Sequence, residues 1–157
     1  MPTHAEKRPV PYRPDQMYAL VADIEKYPEF LPWTAACRIR DRRETEPGVE
    51  VVDADLVISF KVFRERFGSR VTLRPEEKKI DVEYLDGPFR YLNNHWYFVE
   101  NPDGSTTVDF FVDFEFKSRL LQSVIGVVFN EAMMRIVKAF ERRADQLYGG
   151  RGATQTV

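Results

Sequence analysis

The sequence predicts an α+β fold in which a curved antiparallel sheet of six or seven strands lies against a long C-terminal helix. Two patterns carry this prediction. From Ala35 to Phe116, apolar and polar residues alternate within successive segments, which is typical of strands with one buried and one solvent-exposed face. From Lys117 to Tyr148, apolar residues recur at steps of three or four, which is typical of one helical face. Because a strongly twisted antiparallel sheet curls, the helix can lie in its concave side.

The ends of the long helix are marked in the sequence. Ser118 can accept a hydrogen bond from a backbone N–H in the first turn. Gly149 and Gly150 supply the stop, because glycine adopts the left-handed conformation without a Cβ penalty. At a rise of about 1.5 Å per residue the helix is roughly 45 Å long, so it needs a broad apolar surface to lie on.

The N-terminal part predicts an edge strand, a helix and an apolar loop. The strand covers residues 4–10, the helix runs from Pro14 to about Ala22, and Asp23 caps a short turn over residues 24–27. The loop Tyr27-Pro28-Glu29-Phe30-Leu31-Pro32-Trp33 follows, and its two prolines predict an irregular backbone. A loop with so many large apolar side chains must fold inward or contact something outside the domain.

Six further strands are predicted, joined by short connections that contain proline or glycine and so favour antiparallel neighbours. Their outward positions change sign from strand to strand. We interpret these charges as cross-strand ion pairs, each worth about 0.2–1 kcal/mol, and the alternative is an RNA-binding face. The strands cover residues 35–42, 52–60, 63–74, 80–84, 91–99 and 108–116, and the outward charges are Arg38, Arg40, Arg42, Asp53, Asp55, Arg64, Arg66, Arg70, Asp81 and Glu83.

Length and composition set further bounds. A chain of 157 residues predicts one domain, placed at residues 1–150, with a disordered polar tail at 151–157. The 23 Lys and Arg residues nearly balance 25 Asp and Glu residues, which argues against DNA as a partner. The single cysteine, Cys37, favours a reducing compartment. We see no signal peptide and no run of about 20 apolar residues, so we expect a cytoplasmic protein.

The space between the helix and the sheet has two interpretations. The inward positions are nearly all apolar, and the chain contains 12 Phe, 7 Tyr and 2 Trp residues. These side chains can fill the core completely, or they can line a cavity for an apolar ligand. The pattern alone favours the filled core.

Candidates for catalysis or metal binding are few. His4 and His95 are far apart and have no cysteine or carboxylate at metal-ligand spacing. No nucleophile elbow and no glycine-rich phosphate loop occur. The polar residues at inward positions are Glu65 and Ser69, joined by Tyr84 and His95 as weaker candidates. Glu65 can act as a base, bond the head group of a ligand, or sit at the solvent-exposed end of its strand. We therefore predict no catalytic residues, no metal and no enzyme.

The first half of the long helix is apolar over most of its circumference. From Leu120 to Phe129, only Gln122 and Ser123 are plainly polar. One face can pack on the sheet. We expect the rest of this apolar surface to contact a membrane, a partner or a mobile lid. The alternative is that the loop from Phe30 to Trp33 covers it. Gly126 costs about 1 kcal/mol relative to alanine, and we expect something to pack close to its backbone.

An ordered set of short motifs resembles the coenzyme-Q-binding START-like proteins of the polyketide cyclase superfamily. The resemblance covers nearly the whole chain, from about Ala5 to Tyr148, and its signature is the Tyr27–Trp33 loop with Asp23 four residues ahead of it. Thr34 departs from it, since many relatives have cysteine there. The other motifs are Phe67-x-Ser69-Arg70-Val71, Gly87-Pro88-Phe89-x-x-Leu92, Trp96-x-Phe98, Thr107-Val108-Asp109-Phe110, Phe114-Glu115-Phe116 and Ala139-Phe140-Glu141-x-Arg143-Ala144.

The resemblance implies a helix-grip fold with a hydrophobic tunnel and a non-enzymatic role in respiration. The implied ligand is ubiquinone or another polyprenyl lipid, with no further cofactor, and the implied location includes the inner face of the membrane. Mitochondrial members of the family carry a targeting presequence. Because this chain begins almost at its first strand, we expect a bacterial protein or a mature form without that presequence. Two other branches stay open. One comprises ribosome association toxins that block the joining of ribosomal subunits, and the other comprises polyketide cyclase or aromatase-like enzymes.

Two sets of residues are predicted to form the ligand site. The predicted wall consists of Phe67, Val71, Trp96, Phe98, Phe110, Val112, Phe114, Val128, Phe129 and Met133. The predicted mouth or membrane contact consists of Phe30, Leu31, Trp33, Leu120, Val124 and Val127.

Overall fold

A computed structural model describes residues 3–60 and 63–149, and it contains one seven-stranded antiparallel sheet curved around a long helix. The strand order is β1-β7-β6-β5-β4-β3-β2, so β2 to β7 are neighbours in chain order and β1 pairs with β7. The predicted fold class is confirmed. The elements are β1 Thr3–Val10, α1 Pro14–Ala22, a 3-10 helix Ile24–Glu29, β2 Thr34–Glu46, β3 Val49–Phe60, β4 Phe63–Arg74, β5 Lys79–Asp86, β6 Phe89–Glu100, β7 Thr106–Phe116, α2 Arg119–Ala144 and a π-helical turn Asp145–Gly149. The predicted tail at 151–157 lies outside the described residues.

The long helix begins as predicted and ends earlier. The Ser118 hydroxyl accepts a hydrogen bond from the backbone N–H of Leu121 at 3.2 Å. The α-helical part ends at Ala144, and the last residues form the wider turn that includes Gly149.

Two local expectations are wrong. Asp23 makes no side-chain capping hydrogen bond to the 3-10 helix, although it precedes that helix directly. Gly126 has open space where a Cβ would project, so nothing packs close to it. It lies on the solvent-exposed face of α2, and its helix-propensity cost is not offset by a close contact there.

Most of the outward charges of the sheet form the predicted cross-strand ion pairs, and no such pair is seen for Arg38, Arg64 or Glu83 among the described residues. Asp53 on β3 accepts a 2.9 Å hydrogen bond from Arg70 on β4. Asp55 on β3 accepts from Arg66 on β4 and contacts Arg40 on β2, both at 2.8 Å. The Arg70 hydrogen bond outweighs burial and lowers the pKa of Asp53. The arginine-rich strands are thus largely neutralised by their neighbours, which disfavours this face as an RNA-binding surface.

The interior divides into two halves along α2. The closed half lies under α1 and the C-terminal part of α2, where the rings of Tyr18 and Phe98 meet edge to face at 5.9 Å. The open half lies under the N-terminal part of α2. Buried residues of the closed half are Val10, Met17, Leu20, Val21, Ile24, Val52, Ala54, Val71, Leu73, Ile80, Phe98, Val108, Phe140 and Ala144, and those of the open half are Phe67, Phe89, Phe110, Val112, Phe114, Phe129, Ala132 and Met133.

Candidate functional site

The open half contains an apolar cavity of about 230 Å³ between α2 and the concave face of the sheet. It is partly open to solvent, and Leu31, Pro32 and Trp33 of the loop that precedes β2 are on its lining. Strands β3, β4, β6 and β7 form one wall and successive turns of α2 form the other. The lining residues are Leu31, Pro32, Trp33, Thr34, Ile58, Phe60, Glu65, Phe67, Pro88, Phe89, Leu92, Val112, Phe114, Phe116, Leu121, Val124, Ile125, Ala132, Met133 and Ile136.

Phe89 organises the aromatic floor of this cavity. Its ring contacts Phe67 and Phe114 edge to face at 5.4 and 5.5 Å, and it stacks on Phe116 at 4.7 Å. Its backbone N–H donates to the Tyr84 hydroxyl at 3.0 Å. Gly87 brings the chain into this position, because its φ is +139° and a Cβ there would lie 2.6 Å from the Phe67 Cβ. The turn therefore requires glycine, and the turn places Phe89 over β4.

Trp33 stands at the mouth in a strained conformation. Its φ is 62°, which is uncommon for a residue with a bulky side chain. The surrounding structure holds it, because its carbonyl accepts from the Ser59 backbone N–H at 2.8 Å and its ring packs edge to face on Phe60 at 5.6 Å. Such strain persists only where neighbouring contacts enforce it, and it concentrates at ligand sites.

Besides the indole N–H of Trp33, the polar side chains on the described lining are those of Thr34 and Glu65. The Thr34 hydroxyl lies 3.4 Å from the Pro32 carbonyl. Glu65 is exposed and makes no hydrogen bond or ion pair with a described residue, as expected for the solvent-exposed end of its strand. The cavity therefore offers one carboxylate and one hydroxyl to a ligand that is otherwise surrounded by apolar side chains.

The other polar candidates do not converge on this cavity. Ser69 is buried and its hydroxyl lies 3.5 Å from the Ala54 carbonyl. The Tyr84 hydroxyl accepts the hydrogen bond from the backbone N–H of Phe89. His95 is exposed, lies 2.8 Å from an Asp81 oxygen and stacks on Phe111. Among residues 3–60 and 63–149, no group of three His, Cys, Asp or Glu side chains is placed to hold a metal ion.

Four of the predicted wall residues line the cavity, and six do not. Phe67, Val112, Phe114 and Met133 are on its surface. The reason for the difference is a partition: Trp96 meets Phe140 at 5.1 Å and closes the interior at mid-length. Val71 and Phe98 lie beyond it in the closed half, and Trp96 and Phe110 line a separate cavity of about 30 Å³. The partition does not account for the other two residues: Phe129 is buried beside Phe114 within the open half, and Val128 is half-buried on α2.

The predicted mouth residues also separate into two groups. Leu31, Trp33 and Val124 line the cavity near its opening. Phe30 packs instead on Phe140 at 5.4 Å. Leu120 and Val127 project into solvent with 65% and 84% of their surface exposed, so the loop from residue 30 to 33 does not cover them.

Several lining residues were not predicted. Phe89 and Leu92 were within a motif that resembles the family, but nothing in the motif distinguishes a lining residue from a packed one. Ile58 and Phe116 were recognised as inward strand positions without being assigned to the wall. The others not assigned are Pro32, Thr34, Phe60, Glu65, Pro88, Leu121, Ile125, Ala132 and Ile136.

Helix α2 with its terminal turn contains one long apolar stretch. Within Arg119–Gly149, an 18-residue window reaches a mean hydropathy of 1.4, so by length and composition alone this helix could cross a membrane. Only 22% of that apolar stretch is buried. The inner face of the same segment lines the cavity, so the apolar surplus lies on its outer face.

The chain matches the family described as polyketide cyclase/dehydrase and lipid transport over residues 10–141. It is 37% identical over 141 residues to the ribosome association toxin RatA of Rickettsia prowazekii, with 88% of this chain and 92% of the relative covered. It is 31% identical over 150 residues to the mitochondrial coenzyme Q-binding protein COQ10 homolog B of Xenopus laevis, with 93% of this chain and 59% of the relative covered.

Solved structures show the same fold. The 18 kDa protein CC1736 from Caulobacter crescentus has a TM-score of 0.79 and 38% identity, and the match covers 96% of this chain and 100% of that one. A START superfamily protein from Mycobacterium smegmatis has a TM-score of 0.76 at 21% identity, covering 92% and 98%, which shows the likeness of fold. The chain therefore belongs to the polyketide cyclase/dehydrase and lipid transport family, and its fold is the START-like helix grip.

Proposed function

We propose that this protein is a non-enzymatic carrier of a polyprenyl lipid such as ubiquinone. The observation that carries the proposal is the apolar cavity of about 230 Å³ that opens to solvent between α2 and the sheet. Removal of a prenyl chain from water is worth roughly 25 cal/mol per Å² of apolar surface, which supplies the driving force for binding. The relative named as a coenzyme Q-binding protein supports the choice of ligand class.

The size of the cavity limits how much of such a lipid is enclosed. Sites for drug-sized ligands measure about 300–1,000 Å³, so about 230 Å³ holds part of a long prenyl lipid in this conformation. The remainder of the prenyl lipid must extend out of the cavity, past Leu31 and Trp33. Thr34 and Glu65 supply the polar groups on the lining that can bond a head group.

The surface beside the mouth favours collection of the lipid from a bilayer. Leu120 and Val127 expose apolar surface on the outer face of α2, while Leu121 and Val124 line the cavity on its inner face. Insertion of the exposed residues into a membrane would place the cavity opening at the lipid surface. This arrangement corresponds to a cytoplasmic protein with peripheral contact at the inner face of the membrane.

Absence of catalysis is part of the proposal. An enzyme of the cyclase type needs several polar groups that converge on the substrate. On the described lining, Thr34 and Glu65 are the polar residues, and Ser69, Tyr84 and His95 are directed elsewhere. A carrier needs only burial and a place for the head group.

A ribosome-directed toxin is the second candidate function. The relative from Rickettsia prowazekii is named a ribosome association toxin and matches nearly the whole chain, whereas the coenzyme Q-binding relative is less similar. Under this alternative, the protein binds the large ribosomal subunit, and the cavity has a structural or regulatory role.

Native mass spectrometry with lipid extraction of the protein purified from its own host separates the two candidates. Near-stoichiometric quinone or polyprenyl lipid supports the carrier. An empty protein that cosediments with the large ribosomal subunit supports the toxin and contradicts the carrier. The intact mass of the lipid-loaded species also gives the numbers of protein chains and lipid molecules in it.

A further inference from the structure

The outer face of α2 bears a cationic groove separate from the apolar cavity. It measures about 350 Å³ and lies between the C-terminal half of α2 and the loop before β2. Its lining consists of Phe30, Pro32, Arg135, Lys138, Ala139 and Arg142. One wall is therefore positively charged and the other is apolar.

The cations of the groove are available to a ligand. Arg135, Lys138 and Arg142 are three and then four residues apart, which places them on one helical face. The Arg135 guanidinium forms an ion pair with the Glu131 carboxylate at 3.1 Å. Lys138 and Arg142 form no ion pair with a residue in the described part of the chain. The arginines of the sheet differ in this respect, since most of them have carboxylate partners on the next strand.

The apolar wall of the groove is held in place by a second set of contacts. Arg143 donates to Glu29 at 2.8 Å, and its guanidinium lies 5.2 Å above the ring of Phe30. Phe30 in turn packs on Phe140. The loop is thus fixed to α2, and the groove is a defined feature of the fold.

The position of the groove links it to the cavity and to the exposed apolar surface. Pro32 lines both the groove and the cavity. Leu120, Val127 and Met134 are exposed on the outer face of the same helix, toward its N-terminus. Apolar side chains followed by unpaired cations along one face are typical of a helix that lies on an anionic membrane. An RNA backbone would match the cations but would leave the apolar residues without a partner.

We propose that this groove binds the phosphate-bearing head groups of an anionic bilayer and so orients the cavity mouth toward the membrane. The inference rests on the proposed carrier function, because it supplies the docking step that a carrier requires. It adds that docking depends on anionic lipid and on Lys138 and Arg142 in particular.

Vesicle cosedimentation of the full chain tests this inference. The probes are vesicles of phosphatidylcholine alone and vesicles of phosphatidylcholine mixed with phosphatidylglycerol. The variant K138Q/R142Q removes two charges from the groove. The matched control K7Q/R38Q removes two charges from exposed positions on the sheet. Circular dichroism and thermal unfolding verify that both variants keep the wild-type fold.

We expect the wild-type protein to prefer the anionic vesicles, and this preference to weaken with added salt. At about 1 kcal/mol per basic residue near a membrane surface, K138Q/R142Q should lower the affinity for anionic vesicles roughly 30-fold, while K7Q/R38Q should change it little. Equal affinity of K138Q/R142Q and wild type, or an equal loss in the control, overturns the inference. Unchanged vesicle binding with lost cosedimentation on the large ribosomal subunit also overturns it, in favour of an RNA contact.

The failure of this inference differs from the failure of the proposed function. Lipid extraction reports whether the cavity carries a lipid, whatever the groove binds. An empty protein with groove-dependent vesicle binding refutes the carrier alone, and a lipid-loaded protein whose vesicle binding ignores Lys138 and Arg142 refutes the groove alone.

Discussion

The closed and open halves of the interior are built from the same residue types, yet the cavity bordered by residues of the closed half measures about 30 Å³ and the cavity of the open half about 230 Å³. In the closed half, α1 inserts Met17, Leu20 and Val21 against the sheet. In the open half, α2 and the loop before β2 face the sheet, and the aromatic floor around Phe89 leaves space beneath the helix. The covering elements therefore determine where the cavity forms, and the apolar alternation of the strands does not.

Strand β7 shows this difference within four residues. Val108 and Val112 both point inward and are 7% and 9% exposed. Val108 packs in the closed half beside the small cavity of about 30 Å³, whereas Val112 lines the cavity of about 230 Å³. Substitutions matched between the halves can thus separate the packing of the fold from the binding of a ligand.

Truncation of a large side chain should give the largest difference between the halves. Phe98→Ala removes a fully buried ring of the closed half, and we expect it to lower the free energy of unfolding by about 3–5 kcal/mol. Phe116→Ala removes a half-buried ring that already borders the cavity, and we expect a loss of about 1–2 kcal/mol. Urea denaturation of both variants measures these losses. Equal losses would show that the open half is packed as tightly as the closed one.

Enlargement on β7 should separate stability from binding. Val108→Phe overpacks the closed half and should destabilise the protein by about 1–3 kcal/mol. Val112→Phe places its ring in the cavity, so we expect near wild-type stability and a loss of bound lipid of about tenfold or more. Thermal unfolding and lipid extraction measure the two effects. A Val112→Phe protein that retains its full lipid content would place the ligand elsewhere.

Charges on the exposed part of α2 should weaken membrane contact without harm to the fold. Loss of one inserted aliphatic side chain is worth about 1.5 kcal/mol, so Val127→Asp or Leu120→Asp should lower the affinity for liposomes about tenfold. Val99→Asp, on the exposed face of β6, is the matched control and should have no effect. Wild-type liposome binding by folded Val127→Asp and Leu120→Asp proteins would remove the membrane-contact hypothesis.

The smallest expected effect concerns the outer ion pairs. The Arg70 hydrogen bond lowers the pKa of Asp53 in the folded protein, so the stabilisation is present above the unfolded pKa of about 3.9 and is lost as pH falls through the lower folded value. Asp53→Asn should therefore be less stable than wild type at neutral pH, and the gap should narrow in acid. Melting temperatures of both proteins across pH check this. A gap that is constant with pH would mean that the carboxylate charge contributes nothing.

The sequence predicted the elements and the fold because their signals are local. Alternation in the strands, the Ser118 cap and the charge pattern on Arg70 and Asp53 need no long-range information. The capping role of Asp23 was wrong because a suitable residue type at the right position does not ensure the geometry of the bond.

The site was predicted less well because it depends on packing between distant elements. Inward position on a strand does not distinguish Val112 from Val108, and only the placement of α1 and of the Trp96–Phe140 contact does so. The exposure of Leu120 and Val127 was anticipated from composition, since one helix face cannot bury so many apolar residues. The adjacent groove was missed because its walls, at Phe30 and Lys138, are far apart in sequence.

Tryptophan fluorescence with a short-chain ubiquinone tests the central claim most directly. Trp33 lines the cavity and Trp96 is in the partition behind it, so the quenching of each reports where the quinone binds. Trp96→Phe protein, which retains Trp33, should show strong saturable quenching, and Trp33→Phe protein should show much less. Absence of saturable quenching, or equal quenching of the two tryptophans, would contradict quinone binding in the open half.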